Sequence, residues 1–486
     1  MLINISIATF VRQVPTALRS AVRLSRLGVT GAVAMVLLPA GCNGVPTKGE
    51  LAARRQAQSV SAHYRPNGRK PALPHLTATS GLRNFLTFAL LNQPKVEAAY
   101  YDWSASIERI TQARSLPDPQ LTFQMDIQNI VTSVMPGLMG AVPWPDKLRI
   151  GADIATAASQ AKFFTFQAAV LESAFEVKRS YYLLYFLKEK IRVNQDTLKL
   201  LAELEQLARS QNEVGKGTLQ DVLRAQIEQD RLKADVVNLE DSRSSLVAQF
   251  KAALGLGGTD PAPPIPSRFD STPLNLSADK LFNTALAQNS RLKAMEADVR
   301  AAEAGLILAG KASRPDFSLG LMADVKVNPT LYRPLGTVSL PIWRDKYAAL
   351  IAEAQANKRV AQAQLSGEKN ALAVDIAQRS FLYREATRNL ALLNEQILPK
   401  ARQSLEVARS GYLAGQIDFF NLTDTERSLL GYQLEQVEAT AQREIVLAEL
   451  SSIIQGMSPA NGTMASKPAG MPPGKSSAPK KTSGGM

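Results

Sequence analysis

The chain has 486 residues, one cysteine, two histidines and a formal net charge of +13. That composition excludes a disulfide framework, a His/Cys metal cluster and a histidine-based nucleophilic site in the body of the chain. The positive charge sits in residues 1–42 (+4), 43–72 (+5) and 456–486 (+4), which leaves 73–455 near zero without a basic stripe, so nucleic acid is not an expected partner.

Arg12, Arg19, Arg23 and Arg26 precede the short apolar run "LGVTGAVAMVLLPA" (27–40) with no acidic residue between them. A basic region, a short apolar core and small residues read as a signal peptide over 1–41, too short for a spanning helix. The small residues before Cys42 resemble a bacterial lipobox, although Pro39 stands three before the cysteine where leucine is usual. That resemblance implies lipidation of Cys42, and Asn43 after it favours the outer membrane. One acyl chain anchors only marginally, so the rest of the chain should supply a second attachment. Residues 42–80, which hold His63 and His75, read as an extended N-terminal segment.

Next come two related stretches. "ALLNQPKVEA" (89–98) aligns with "ALAQNSRLKA" (285–294), "LPDPQLTF" (116–123) with "RPDFSLGL" (314–321), "VPWPDK" (142–147) with "LPIWRDK" (340–346), and "EVGKGTLQDVLRAQ" (213–226) with "LAGQIDFFNLTDTE" (413–426). Four matches in order at an offset of 196 to 200 indicate a duplication, 81–256 and 275–456, joined by a Pro-rich linker, 257–274. The methionine-containing tail 457–486 reads as disordered.

Each repeat opens with a predicted helix (81–113; 278–312), then a Pro-Asp turn and strand-like stretches. "LTFQMDIQ" (121–128) sets Leu121, Phe123, Met125 and Ile127 against Thr122, Gln124, Asp126 and Gln128. "FSLGLMADVKV" (317–327) alternates in the same way. Return strands are expected near 134–142 and 334–341. Period two over this length fits a half-buried strand, and equally a transmembrane strand with one face to lipid.

Long helices follow, 152–213 and 346–412, with returning partners ending near 254 and 455. Leu184, Leu187, Ile191, Leu198 and Leu201, interrupted by Asn194, mark a coiled-coil seam, and Pro399 should kink the second long helix. Four strands cannot close a barrel alone. If they span a membrane, the barrel is shared between subunits.

At these residues the chain resembles the TolC-like outer-membrane efflux channels. The resemblance implies a mainly α fold with a small membrane β part: long α-helical coiled-coil hairpins forming a periplasmic tube, and four β-strands per chain contributing to a shared trimeric β-barrel. It implies a homotrimer in outer-membrane lipid, a periplasmic adaptor and an inner-membrane pump as partners, and neither cofactor nor metal site. The two glycine turns resemble the family's adaptor-docking tip, which points to Val214, Gly215 and Thr218, and to Ala414, Gly415 and Asp418. The family's acidic aperture ring falls six and nine places after the second glycine, at Asn421 and Asp424, with Asp221 as a further candidate. "AVPWPDKLR" resembles relatives that serve metal-cation pumps. The expected function is an exit duct for small molecules or metal cations. The alternative is a periplasmic coiled-coil adaptor or scaffold lipoprotein, which would have no need of the alternating strands.

Overall fold

The computed structural model describes residues 46–127, 130–265, 269 and 278–457. Cys42, most of the 257–274 linker's second half and tail residues 458–486 lie outside the described residues. The elements are α1 (Lys48–Tyr64), α2 (Leu82–Asn92), α3 (Pro94–Arg114), β1 (Gln120–Ile127), β2 (Val131–Val142), α4 (Pro145–Glu213), α5 (Leu219–Ala253), α6 (Ala278–Gln288), α7 (Ser290–Lys311), β3 (Phe317–Asp324), β4 (Leu331–Val338), α8 (Arg344–Leu392), a π segment (Leu393–Ile397), α9 (Leu398–Leu413) and α10 (Phe419–Gln455).

The 69-residue α4 starts with Pro145 at its first position, where a missing N–H costs nothing. At ~1.5 Å per residue it runs about 100 Å. It packs against α3, α5, α7 and α10, and α8 packs against α7 and α10. The predicted seam is the inner face of α4: Leu184, Leu187, Ile191 and Leu201 are buried, and Asn194 is buried with its Nδ2 donating to Lys190 O at 2.7 Å. In the second repeat the long helix is interrupted by the π turn just before Pro399. The proline ring would clash with the carbonyl four residues back, and widening that turn relieves the clash.

Three expectations need correction. The lead segment is not extended, because 48–64 is helical. Thr47 caps it by accepting from Glu50 N at 3.1 Å, and Glu50 is buried against Arg54, Thr111 and Arg114. The single helices expected at 81–113 and 278–312 are each two. Gln93, which precedes Pro94, and Asn289 leave the helical region with ψ of 118° and 116°. The side chains at these breaks cap the returning helices. Asn92 Nδ2 donates to Leu254 O and Gly255 O, Gln93 Nε2 to Ala252 O and Ala253 O, and Asn289 Nδ2 to Ile453 O, all within 2.8–3.2 Å. Finally, β3 stops at Asp324, short of Val327. The Asp324 carboxylate accepts from Lys326 N at 3.2 Å, an Asx turn that ends the strand, and from the Ser133 hydroxyl at 2.6 Å.

The four strands form one antiparallel sheet in the order β1-β2-β3-β4. Both hairpins keep one register, since adding 198 to each member of Leu121↔Leu138 gives Leu319↔Gly336. One face carries Leu121, Phe123, Ile127, Leu138, Leu319, Leu321, Tyr332 and Val338, all exposed. The opposite face carries Thr122, Asp126, Ser133, Met135, Met322, Asp324 and Arg333. Two of the three tryptophans, Trp144 and Trp343, sit where the sheet meets the long helices. No described helix is long and apolar enough to cross a membrane.

Candidate functional site

Both hairpins end, far from the sheet, in the same turn. Gly215 takes φ +73° and Gly415 φ +71°. Gly215 N donates to Asn212 O and Lys216 N to Gln211 O; Gly415 N donates to Tyr412 O and Gln416 N to Gly411 O. These crossed pairs are Schellman motifs, which satisfy the last carbonyls of a helix and need a residue that tolerates positive φ. The returning helices then start on side-chain caps. Thr218 accepts from Asp221 N while Asp221 Oδ2 accepts from Thr218 N at 3.0 Å, and Asp418 Oδ1 accepts from Asn421 N at 2.9 Å. Repeat chemistry at positions 200 apart thus gives two equal, tightly determined turns.

The turns present apolar groups to solvent. Val214 is 65 % exposed, and Leu219, Leu223, Leu413 and Phe420 are also exposed. Thr218, Ala414, Gly415 and Asp418 are exposed beside them. Arg224 stacks over the Phe420 ring at 4.7 Å, so α5 and α10 touch at the tip.

The candidate aperture residues differ in burial and in what their side chains already do. Asp424 and Asn421 are exposed on α10, and Asp424 makes no ion pair among the described residues. Asp221 is half-buried and its carboxylate is engaged in the capping box. Asn421 and Asp424, three residues apart on α10, thus share its exposed side, whereas the Asp221 carboxylate is committed to its own helix cap.

Sequence reasoning missed a second acidic group. Phe419, Leu422, Thr423, Glu426 and Leu429 share the buried face of α10, and Glu426 is 4 % exposed. Burial, with the nearby Glu228 charge, pushes Glu426 up to about 7, while Arg427 opposes the shift. Glu228 is held by Arg427 at 2.5 Å and Arg231 at 3.3 Å. The 3-4 spacing places Glu426 on the seam, and a carboxylate at a seam position was the available signal. Tyr412, stacked edge-on against Phe419, is raised by burial and further by Asp221.

Comparison with known proteins follows the same outline. The family model described as outer membrane efflux protein matches residues 86–256 and 281–455. The cobalt-zinc-cadmium resistance protein CzcC of Cupriavidus metallidurans is 23 % identical over 279 residues, 55 % of this chain and 64 % of that relative. The match therefore spans just under two thirds of the relative's length. Among solved structures, VceC of Vibrio cholerae superposes with a TM-score of 0.65 at 17 % identity, covering 77 % of this chain and 96 % of that one. The open-state MtrE outer membrane channel of Neisseria gonorrhoeae gives 0.65 at 17 % identity, covering 80 % and 94 %. The family is described as an efflux protein and the MtrE structure as an outer membrane channel, in keeping with the expectation of a channel rather than an enzyme. With both repeats matched and the same helical hairpins and small sheet, the chain belongs to the outer membrane efflux protein family.

Proposed function

We propose that the protein is the outer-membrane exit duct of a tripartite efflux system, working as a homotrimer whose four-stranded sheets close one barrel. The observation that carries this reading is the sheet itself. Its strands of 8 to 12 residues have one wholly apolar exposed face, and its two edges, β1 and β4, are unpaired. An open edge cannot stay in lipid, so sheets from several copies must close on each other, three of them in this reading. A coiled-coil scaffold gives no account of such a sheet.

In this reading the tip turns, through Val214, Gly215, Thr218, Ala414, Gly415 and Asp418, dock a periplasmic adaptor that links the duct to an inner-membrane pump. Asp424, next to Asn421, lines the aperture, and Asp221 stands behind it. Lipidated Cys42 adds an anchor to the barrel. The similarity to a protein named for cobalt, zinc and cadmium resistance favours divalent metal cations as cargo. The duct itself needs no metal site, because a passage must release what enters it.

Reconstitution into planar bilayers tests the reading. Discrete conductance steps, with a detergent-solubilised mass near three chains of 52.6 kDa less the leader, are expected. A folded monomer without conductance would overturn it. Loss of fatty-acid labelling in Cys42→Ser tests the anchor, and cobalt, zinc and cadmium tolerance in a deletion strain tests the cargo.

A further inference from the structure

Beneath the sheet the two repeats differ in what covers a matching pair of helices. In the first, α3 carries Ser104, Ile107, Ile110, Thr111 and Arg114, and α1 lies over α3 and α4. Glu50 accepts from Thr111 and Arg114, Arg54 donates to Glu108, and Ala53 shares a buried cluster with Ile107 and Ile110. At an offset of 198 the same positions on α7 are Ala302, Gly305, Leu308, Ala309 and Ala312. No described helix takes the place of α1 over α7 and α8. Instead a cavity of about 620 Å³ lies between them, its far wall made by Tyr347, Leu350 and Ala354 of α8.

This groove continues the apolar exposed face of the sheet. The Trp144 ring lies 6.4 Å from Phe317, on the face of Leu319, and Lys147, which lines the groove, follows Trp144 by one turn. On the α8 side, exposed Leu340, Ile342 and Trp343 lead into it. Further down, Ile307, Leu350 and Ile351 are exposed, where the first repeat has Arg109, Gly151 and Ala152. Between Glu303 and Lys311 α7 has no charged residue. Charge is confined to the two ends. At the lower end Glu353 lines the groove and Lys358 pairs with Glu303 at 3.1 Å. At the sheet end Asp316 takes the charge of Lys147 and Asp146 that of Lys311. Lys346 lines the same end, exposed and without an ion pair among the described residues.

We infer that the α7–α8 groove seats one acyl chain of an anionic phospholipid from the adjoining membrane, with the lipid phosphate at Lys346. From Ala302 to Ala312 the groove runs about 15 Å at ~1.5 Å per residue, long and narrow as an acyl chain is. Its alanine, glycine and leucine walls offer an apolar ligand nothing but burial, which is what drives such a ligand out of water. A phosphate supplies the counter-charge that Lys346 lacks, at the level where lysine stems carry their ammonium groups to lipid headgroups. Glu303 and Glu353 at the other end would repel a phosphate, so the charges also set the direction in which the lipid lies. A helix like α1 is the wrong occupant. Its Glu50 is buried against Thr111 and Arg114, and Ala309 and Ala312 give a buried carboxylate no partner. The first repeat thus covers its helix pair with its own chain, and the second with lipid.

This inference rests on the membrane placement proposed above, and the test separates the two. The purified full chain in nonionic detergent is titrated with phosphatidylglycerol, phosphatidylcholine or inorganic phosphate and read by native mass spectrometry, with planar-bilayer conductance recorded on the same preparation. Phosphatidylglycerol should be retained at one molecule per chain, about tenfold more tightly than phosphatidylcholine, and inorganic phosphate should not be retained. Lys346→Glu should remove the preference for phosphatidylglycerol, and Lys346→Arg should keep it. Gly305→Ile gives α7 the side chain that α3 has at Ile107, and a Cβ there meets nothing within 4 Å. That substitution should fill the groove and abolish retention of both lipids. A conducting protein that retains neither lipid, or that retains phosphatidylglycerol equally well in Gly305→Ile, overturns the groove and leaves the duct standing. Equal retention of the two lipids, or retention of phosphate alone, overturns the assignment of an anionic lipid to Lys346. A protein that neither conducts nor assembles overturns the duct and the lipid site with it.

Discussion

Asn289 Nδ2 donates to Ile453 O at 2.8 Å while Asn289 Oδ1 accepts from Leu292 N at 2.9 Å. One buried amide thus starts α7 and ends α10, two helices 164 residues apart. Asn289→Ala removes both bonds, leaving the buried Leu292 N–H without its cap and Ile453 O with Gly456 N alone, so thermal unfolding should show a loss of about 2 kcal/mol. Asn289→Asp, which keeps the cap but cannot donate to Ile453, should fall between the variant and the parent.

Glu50 ties α1 to the body. Burial pushes its carboxyl up, but hydrogen bonds from Arg114, Thr111 and Arg54 outweigh that and hold it below the usual glutamate value. A depressed pKa gives stability that is present above the unfolded value of about 4.5 and is lost as pH falls below it. Glu50→Ala leaves Arg114 without its buried partner and should cost on the order of 3 kcal/mol. Limited proteolysis should then cut within 48–64 first, leaving the hairpins intact.

Much of this architecture is legible in the sequence because repetition makes it so. Gly215 and Gly415 announce the tip turns, and the alternation around Phe123 and Leu319 announces the sheet. The helix at 48–64 was hidden despite Thr47 and Glu50 standing at capping-box spacing, since its surroundings are basic and proline-rich and its hold on the body is tertiary. The break at Asn289 has no proline to mark it, unlike Gln93 before Pro94. Its cause is a carbonyl at Ile453 that only the fold brings near. Glu426 was missed for the opposite reason. It follows the helical period perfectly, and its residue type concealed it.

Glu426 should make the tip respond to pH. Its folded pKa of about 7 lies above the unfolded value of 4.5, so the folded state holds the extra proton between these values. Stability should be greatest near the acid end of that window and fall as pH rises through 7. The full shift corresponds to roughly 3 kcal/mol per chain. Glu426→Gln should remove the dependence and raise stability at pH 8, read by denaturation at pH 5 and pH 8. An unchanged slope in Glu426→Gln would show that Glu426 is not the group that titrates across this window.

Gly415 tests the proposed docking role of the tip turn. A Cβ there meets nothing within 4 Å, so substitution costs only backbone strain at φ +71°. Gly415→Ala should lose about 1–2 kcal/mol. The trimer should persist because the sheet is remote, while affinity for the cognate adaptor should drop severalfold in a pull-down with purified protein. Gly367→Ala, in open space on α8 and free of positive φ, should change neither.

Asp424 and Asp221 differ in what their carboxylates already do, and that difference predicts opposite phenotypes. Asp221 Oδ2 accepts from Thr218 N in the capping box, so Asp221→Ala should destabilise by about 0.5–2 kcal/mol. Asp424 is exposed with its carboxylate uncommitted, and surface substitutions usually stay within about 0.5 kcal/mol. Three symmetry-related Asp424 carboxylates at a closed tip would concentrate cations, and their mutual repulsion means their removal should not weaken the fold. Asp424→Ala should therefore lower cation selectivity and relieve block by multivalent cations in single-channel recordings, with an unaltered melting curve. Selectivity that survives Asp424→Ala and falls only when Asp221 is also replaced would shift the aperture to Asp221, and selectivity that survives both would remove the acidic ring from this channel.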